Sequence, residues 1–505
     1  MKKLMKKQKN NKGITLLSLV ITVIIIIILS SIIMNTVMGD NGIIKKSTET
    51  KDKSSNLIIK ENSDVNKVMQ EYANSMAENI EIPDPVLSGE IETGGTVMES
   101  MTNGVIEIEW LSGTSNTISE TPNPPKIKNG LPSRTTMELV KFNSNNNTWE
   151  EGTEYNYIPG VGNQDNTSSK WANARVTING IESYFVWIPR YAYRIVYFNS
   201  EESKREYQEG KITEAEAVKQ GKIIGYSDSR GIVDSSGKKI KEIMSASNTD
   251  HLKVNEKYFQ THPAFTNDIE NGGWSNELEG IWIAKFESSS VEGNDETLSN
   301  NNVTTKTVKV QPGYESWHYI NFDNAFTVSK EFSTELNSHL LKNSEWGAVV
   351  YLTESKYGRN GTEVECNTEQ IAGGGTGISY AYTNNKQSST GNVYGIYDLS
   401  GGHFEQVAGY YKNYSNYSSI LDGTNTKYYT AYYGKTKDLA YKYGDATYET
   451  SEWHNDDPYF FGDIKIVTYY IIRGGCYYDG GGIFSTYCSD SKLTTDKGFR
   501  IAITV

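Results

Sequence analysis

The sequence predicts an α+β chain in which an N-terminal transmembrane helix precedes an irregular domain of short strands and long loops. Three observations carry this. Residues 13 to 39, "GITLLSLVITVIIIIILSSIIMNTVMG", hold no charged side chain, and about 20 apolar residues suffice to cross a bilayer core as a helix. Beyond residue 134 the apolar and aromatic runs, such as "SYFVWIPRYAYRIVYF", "GIWIAKFESS" and "IVTYYIIRGG", are short and separated by polar stretches, the texture of strands joined by loops. Only "ITEAEAVKQG" and "FSTELNSHLLKNSEWGAVVYLT" read as helices there.

Taken in order, the first element is a basic leader. Six lysines, at positions 2, 3, 6, 7, 9 and 12, precede the apolar run with no acid among them. Such an excess keeps the leader in the cytoplasm, so the expectation is a single-pass protein of the cell membrane, crossing through residues 14–39, with a large extracellular C-terminal domain. A cleaved secretory signal carries its cut after the apolar run; here the run begins directly after Lys12-Gly13. This pattern resembles the type IV prepilin leader, in which a prepilin peptidase cuts after the glycine and methylates the new terminus. The resemblance implies cleavage between Gly13 and Ile14, with residues 1–13 as leader and a pilin-like helix retained. It departs at Ser18, where the family usually has the glutamate that favours filament assembly. A plain uncleaved signal anchor gives the same topology.

Residues 14–82 then read as a transmembrane and stem helix, with no proline until Pro83. Residues 83–133 are rich in Gly, Ser, Thr, Asn and Pro and end in "SETPNPPKIKNGLP", a composition that favours solvated, extended backbone. Inside this stalk "GVIEIEWLSG" alternates apolar and polar residues as a small β-element. Residues 134–505 form the main domain.

Charge and cysteine content narrow the function. The net charge is −13, and removing the leader's six lysines leaves −19, which excludes nucleic acid as a partner. Three cysteines, Cys366, Cys476 and Cys488, exclude a disulfide-built scaffold. The six histidines, at 251, 262, 318, 339, 403 and 454, show no metal-ligand spacing, so neither a metal nor a cofactor is expected.

Four motifs in the main domain stand in a telling order: "FVWIPRYAYRI", "LLKNSEWGAVVYL", "NVYGIYDLSGGHFEQV", and "IIRGGCYYDGG" followed by "DKGFRIAI". Together they resemble the formylglycine-generating-enzyme and sulfatase-modifying family, which implies a C-type-lectin-like fold. The structural residues on these motifs are Asp398, Gly401, Glu405, Arg473, Gly474, Gly475, Gly498, Phe499 and Arg500. Gly474 and Gly475 permit backbone angles that a side chain blocks. Arg473 and Arg500 are expected to hold loop backbone or a carboxylate such as Asp398 or Glu405. Departures remove the family's chemistry. Copper-dependent members carry a cysteine pair a few residues apart after the glycine turn, whereas Cys476 and Cys488 are too far apart and out of register. Of the two-His and carboxylate motif of iron-dependent relatives, only His403-Phe404-Glu405 comes near. No catalytic residue is therefore assigned.

In place of an active site stands a loop from Cys476 to Asp496. Tyrosine offers wide contact area at low entropic cost, and small polar residues adapt around it, so the ligand-binding residues are expected to be Tyr477, Tyr478, Asp479, Phe484, Tyr487, Ser489 and Asp490. The opposing reading packs these rings beneath the loop as local core. The loop also resembles the variable region of diversity-generating-retroelement proteins, because Cys476 through Asp490 contains only residues reachable by adenine mutagenesis of asparagine codons. The function expected is a surface-displayed adhesion protein of a Gram-positive bacterium, with an inactive lectin-like head and an unknown extracellular protein or glycan ligand. The alternatives are an extracellular formylglycine-generating-type oxidase and a structural pilin or pseudopilin subunit.

Overall fold

A computed structural model of the chain describes residues 104–160, 169–198, 200–224, 251–255, 257–294, 307–412, 421, 424–433, 442–447, 449–450, 453–456, 469–489 and 496–505. The leader, the cleavage site at Gly13 and Ile14, the apolar run 14–39 and the stem to residue 82 lie outside these residues.

The chain opens with β1 (Gly104–Leu111), β2 (Ile118–Ser119), β3 (Thr135–Asn143), β4 (Thr148–Glu151), β5 (Asn173–Ile178), β6 (Ile181–Pro189) and β7 (Tyr191–Phe198). Short helices α1 (Glu201–Gln208) and α2 (Glu214–Ala217) lead to β8 (Val218–Ile224), β9 (His251–Val254), β10 (Lys257–Thr261) and β11 (Gly280–Ala284). Next come β12 (Ser289–Ser290), β13 (Val308–Lys309), α3 (Phe322–Glu331), β14 (His339–Leu340) and α4 (Asn343–Glu354). The C-terminal third holds β15 (Phe404–Lys412), β16 (Thr430–Tyr433), β17 (Tyr469–Cys476), β18 (Gly480–Ser489), β19 (Lys497–Phe499) and β20 (Ile501–Ile503).

Two expectations are corrected by this order. Among the described residues the regular structure is mostly β-sheet with a few short helices, where the sequence predicts an α+β chain headed by a membrane-spanning helix. Among the described residues no helix is long and apolar enough to cross a membrane, and the single-pass membrane placement is withdrawn.

The central sheet runs β14-β20-β11-β6-β5-β3-β4. Its middle strands serve two cores at once. Along β6, Val186 and Ile188 enter one core while Phe185 and Trp187 enter the other; on β11, Ile281 and Ile283 oppose Trp282 and Ala284 in the same way. A sheet covered on both faces needs apolar residues at every position, which is why "FVWI" and "GIWIA" are unbroken. Helix α4, buried along its whole length, fills the first core, and Phe322, Ala325, Phe326 and Val328 of α3 fill the second. Pro189 ends β6: it has no N–H to donate, and the chain passes at Arg190 into a second sheet of order β2-β1-β7-β10-β9, with β8 also on β7.

Long-range pairing overrides local pattern in three places. The "GVIEIEWL" strand, expected in the stalk, pairs from Gly104 to Trp110 with β7 and sends Ile106, Ile108 and Trp110 into the core. The helix expected over 332–353 is confined to Asn343–Glu354, because His339 and Leu340 pair with Ala502 and Ile501 of the closing strand. Val218, expected in a helix, lies in β8 and pairs with Phe198.

Candidate functional site

The third sheet, of order β16-β15-β17-β18 with β19 parallel to β15, carries the residues singled out between the two C-terminal motifs. The segment expected as an open loop is a β-hairpin. Strands β17 and β18 pair from Tyr470 and Ser489 down to Cys476 and Gly480, with a bulge between Arg473 and Gly474. Gly475 has a φ of 70°, and a Cβ there would run into the Gly480 carbonyl oxygen, so the two strands close only over glycine. The turn is Tyr477-Tyr478-Asp479.

Buried polar contacts anchor the hairpin. Arg500 forks onto Glu405, with Nε 2.9 Å from Oε2, and donates from Nη1 to Ala284 and from Nη2 to Tyr397, both backbone carbonyls at 2.8 Å. Arg473 takes the other role. Its Nη2 donates to the Ala446 carbonyl at 2.7 Å, its Nη1 to the hydroxyls of Thr447 and Thr486, and its guanidinium faces the Trp346 ring; burial lowers its pKa to about 10. Asp398, at a left-handed φ of 63°, accepts from Gly373 N–H at 2.8 Å and from Asn367 Nδ2 at 2.9 Å. Burial and the neighbouring Glu287 push its carboxyl up to about 7. Gly401 donates its N–H to the Gly474 carbonyl at 2.8 Å and so ties the "DLSGG" motif to the hairpin. Gly498 pairs with Glu405 across β19 and β15, and Phe499 is fully buried beside Trp317.

The expected binding residues part company on this frame. Tyr478 is 60% exposed, yet fixed: its hydroxyl donates to Asp496 Oδ2 at 2.8 Å, and its ring stands at 85° to that of Tyr477 with centroids 4.9 Å apart, an edge-to-face geometry that aromatic quadrupoles favour. Burial and the Asp496 contact hold the Tyr478 phenol above its ordinary pKa. Tyr477 is half-buried, with its N–H on the Gly402 carbonyl at 2.8 Å, and Asp479 is exposed beside it. Tyr487 is half-buried against the Phe404 ring and Ser489 lies at the far end of β18 opposite Tyr470. Phe484 is core: it is 2% exposed and packs on Trp453 and His454, which corrects its assignment as a ligand contact. Asp490 lies outside the described residues.

Sequence reasoning missed what lies under the tip. The ring of Tyr477 is 5.8 Å from that of His403, which stacks on His318 at 5.0 Å and 15°. Glu287 accepts the His403 backbone N–H at 2.9 Å. His318 and Glu287 come from distant parts of the chain, and no local spacing marks them. The three cysteines are free thiols. Cys476 ends β17, and Cys488 on β18 lies opposite Ile471, five residues back along β17; at about 3.3 Å per residue they cannot share an ion. Among the described residues no group of three or more His, Cys, Asp or Glu is arranged to hold a metal. A separate cleft of about 300 Å³ is lined by Glu107, Glu109, Tyr207, Lys257 and Lys356. Two of its charges engage each other, Lys257 Nζ lying 3.3 Å from Glu107 Oε2; Lys257 also donates to the Tyr207 hydroxyl at 2.8 Å, and Arg194 Nε, from behind the cleft, donates to Glu107 at 2.6 Å.

No family model matches the chain. No curated protein matches it either. Among solved structures the chain is similar to variable protein 1 of Treponema denticola, at 13% identity and a TM-score of 0.22, over 45% of this chain and 86% of that one. No family model and no curated sequence supports the prepilin or formylglycine-generating resemblances, and a structural likeness at this score shows neither fold nor function.

Proposed function

We propose that this chain is a non-catalytic binding protein whose recognition surface is the β17–β18 hairpin tip, and that its ligand is a protein or glycan surface. One observation carries the reading: Tyr478 is exposed yet held in a single place by Asp496 and Tyr477. A fixed aromatic loses little conformational freedom on binding, which is how rigid tyrosines become hot spots. The tip residues, with Tyr487 on β18, lie on a hairpin whose fold rests on Gly475, Arg473 and Phe484, so the exposed positions are free to vary. That division supports a diversified binding surface of the kind the loop composition resembles. The oxidase alternative is disfavoured by the separation of Cys476 and Cys488.

The test is a paired screen of glycan and displayed-peptide arrays with the wild-type protein and with Tyr477→Ser/Tyr478→Ser. Binders retained by wild type and lost by the double variant, at equal melting temperature, support the reading. Binders retained by both place recognition elsewhere, and the cleft at Glu109 becomes the next site to mutate.

A further inference from the structure

Two glutamates share one face of β1, since alternate residues of a strand point the same way, and the fold uses only one of them. Glu107 stands opposite Arg194 in the ladder with β7, and Glu109 opposite Ala192. Glu107 is fully engaged: it accepts from Arg194 Nε at 2.6 Å and from the Tyr207 hydroxyl at 2.8 Å, and Lys257 Nζ lies 3.3 Å away. Burial opposes its ionisation, but Arg194 and Lys257 outweigh it and hold the carboxyl below the ordinary range. Those two cations are committed again on the other side, where both meet Glu214. Ala192 is too short to offer Glu109 anything, and among the described residues no hydrogen bond or ion pair reaches that carboxylate. Burial pushes it up, with Lys356 and Lys257 opposing only from a distance.

Both glutamates line the cleft of about 300 Å³. Small-ligand pockets run from about 300 to 1,000 Å³, so there is room for a metabolite and none for a folded partner. The walls are preformed. The turn after α4 is closed by the Gly358 and Asn360 N–H groups on the Ser355 carbonyl, both at 3.0 Å, and Gly160 donates to the Lys356 carbonyl at 2.5 Å. Lys356 itself is exposed, with Nζ 5.1 Å from the centroid of the Tyr357 ring. The cleft therefore presents an anion and a cation that are not bonded to each other, with Val105 as apolar surface beside them.

We propose that this cleft binds a free α-amino acid, whose ammonium group donates to Glu109 and whose carboxylate faces Lys356. An ionised carboxylate only accepts hydrogen bonds, so the group that satisfies Glu109 must donate, and a charged donor makes a bond about twice as strong as a neutral one. A simple amine would set its charge against Lys356, and a simple acid would set its charge against Glu109. A zwitterion meets both walls with the opposite sign. The site shares no residue with the hairpin tip, so its test is independent of the reading of that surface.

The test is calorimetric titration of the full chain with each of the twenty free amino acids at pH 7, followed by the N-acetyl and decarboxylated forms of the tightest. At least one amino acid is expected to bind, and both modified forms to bind more weakly. Glu109→Gln should raise the Kd by about 10-fold to 150-fold, the loss of a hydrogen bond to a charged group, at an unchanged melting temperature because nothing in the fold bonds to that carboxylate. Lys356→Met should weaken the amino acid and leave the decarboxylated form unaffected, while Tyr477→Ser/Tyr478→Ser should bind as wild type does. No heat with any of the twenty, an unchanged Kd in Glu109→Gln, or equal binding of the N-acetyl form overturns the proposal. Equal binding of the decarboxylated form overturns the zwitterion as the ligand. Should Glu109→Gln fail to fold, Lys356→Met decides alone, and an unchanged Kd for the amino acid overturns the proposal.

Discussion

Phe484→Ala separates the two faces of the hairpin. The ring is 2% exposed, lies 5.3 Å from Trp453 and 5.8 Å from His454, and its backbone N–H is fixed on Asp456 at 2.8 Å. Truncating a buried phenylalanine in a site that cannot collapse costs about 3 to 5 kcal/mol, a range that already contains the ring pairing with Trp453. With a urea m-value of about 3 kcal/mol/M, the unfolding midpoint should fall by about 1 to 1.7 M. Tyr478→Ala, on the exposed face, should stay within about 0.5 kcal/mol of wild type. The assay is urea unfolding of both variants followed by tryptophan fluorescence. A normal midpoint for Phe484→Ala together with a lowered one for Tyr478→Ala would mean that the hairpin faces are assigned the wrong way round.

Three further outcomes follow from the same contacts. Gly475→Ala should disrupt the hairpin because the new Cβ meets the Gly480 carbonyl, whereas Gly480→Ala, with a φ of 80° and open space around it, should cost only the left-handed penalty of about 1 to 2 kcal/mol; equal melting temperatures would remove the close approach as the reason for glycine. Glu405→Gln leaves Arg500 buried without its anion and should destabilise the protein by about 3 to 5 kcal/mol in denaturant unfolding, so a loss under 1 kcal/mol would show that the fork is not needed. His454, whose Nε2 sits 3.0 Å from Glu354 Oε2, is raised to about 9, burial opposing and the Glu354 charge outweighing it. The folded protein therefore holds a proton that the unfolded chain releases near 6.5, and this stability is full below pH 6.5 and lost as pH rises through about 9; His454→Gln should flatten the melting profile between pH 7 and 9.5, and an unchanged slope would remove the pair as its cause.

What the sequence revealed and what it hid divide along physical lines. Gly474 and Gly475 were legible as turn residues because backbone angle is a local property, and Arg500 beside a carboxylate follows from the need to pair any buried charge. Phe484 and Tyr478 were indistinguishable: both are aromatic residues in a Gly-rich stretch, and the bulge at Arg473 and Gly474 breaks the alternation that would have sorted them. The helix over 332–353 was over-extended because the strand that captures His339 and Leu340 lies at the far C-terminus. Glu287 and His318 were invisible for the same reason, since only the assembled sheets bring them to His403.

The most direct measurement is the affinity of the strongest array binder for wild type and for Tyr478→Ala, titrated by calorimetry at pH 7. The recognition surface assigned to the hairpin tip predicts a loss of about 1 to 4 kcal/mol, roughly 5-fold to 1,000-fold in Kd, with melting temperature unchanged. An equal Kd for the two proteins would contradict it.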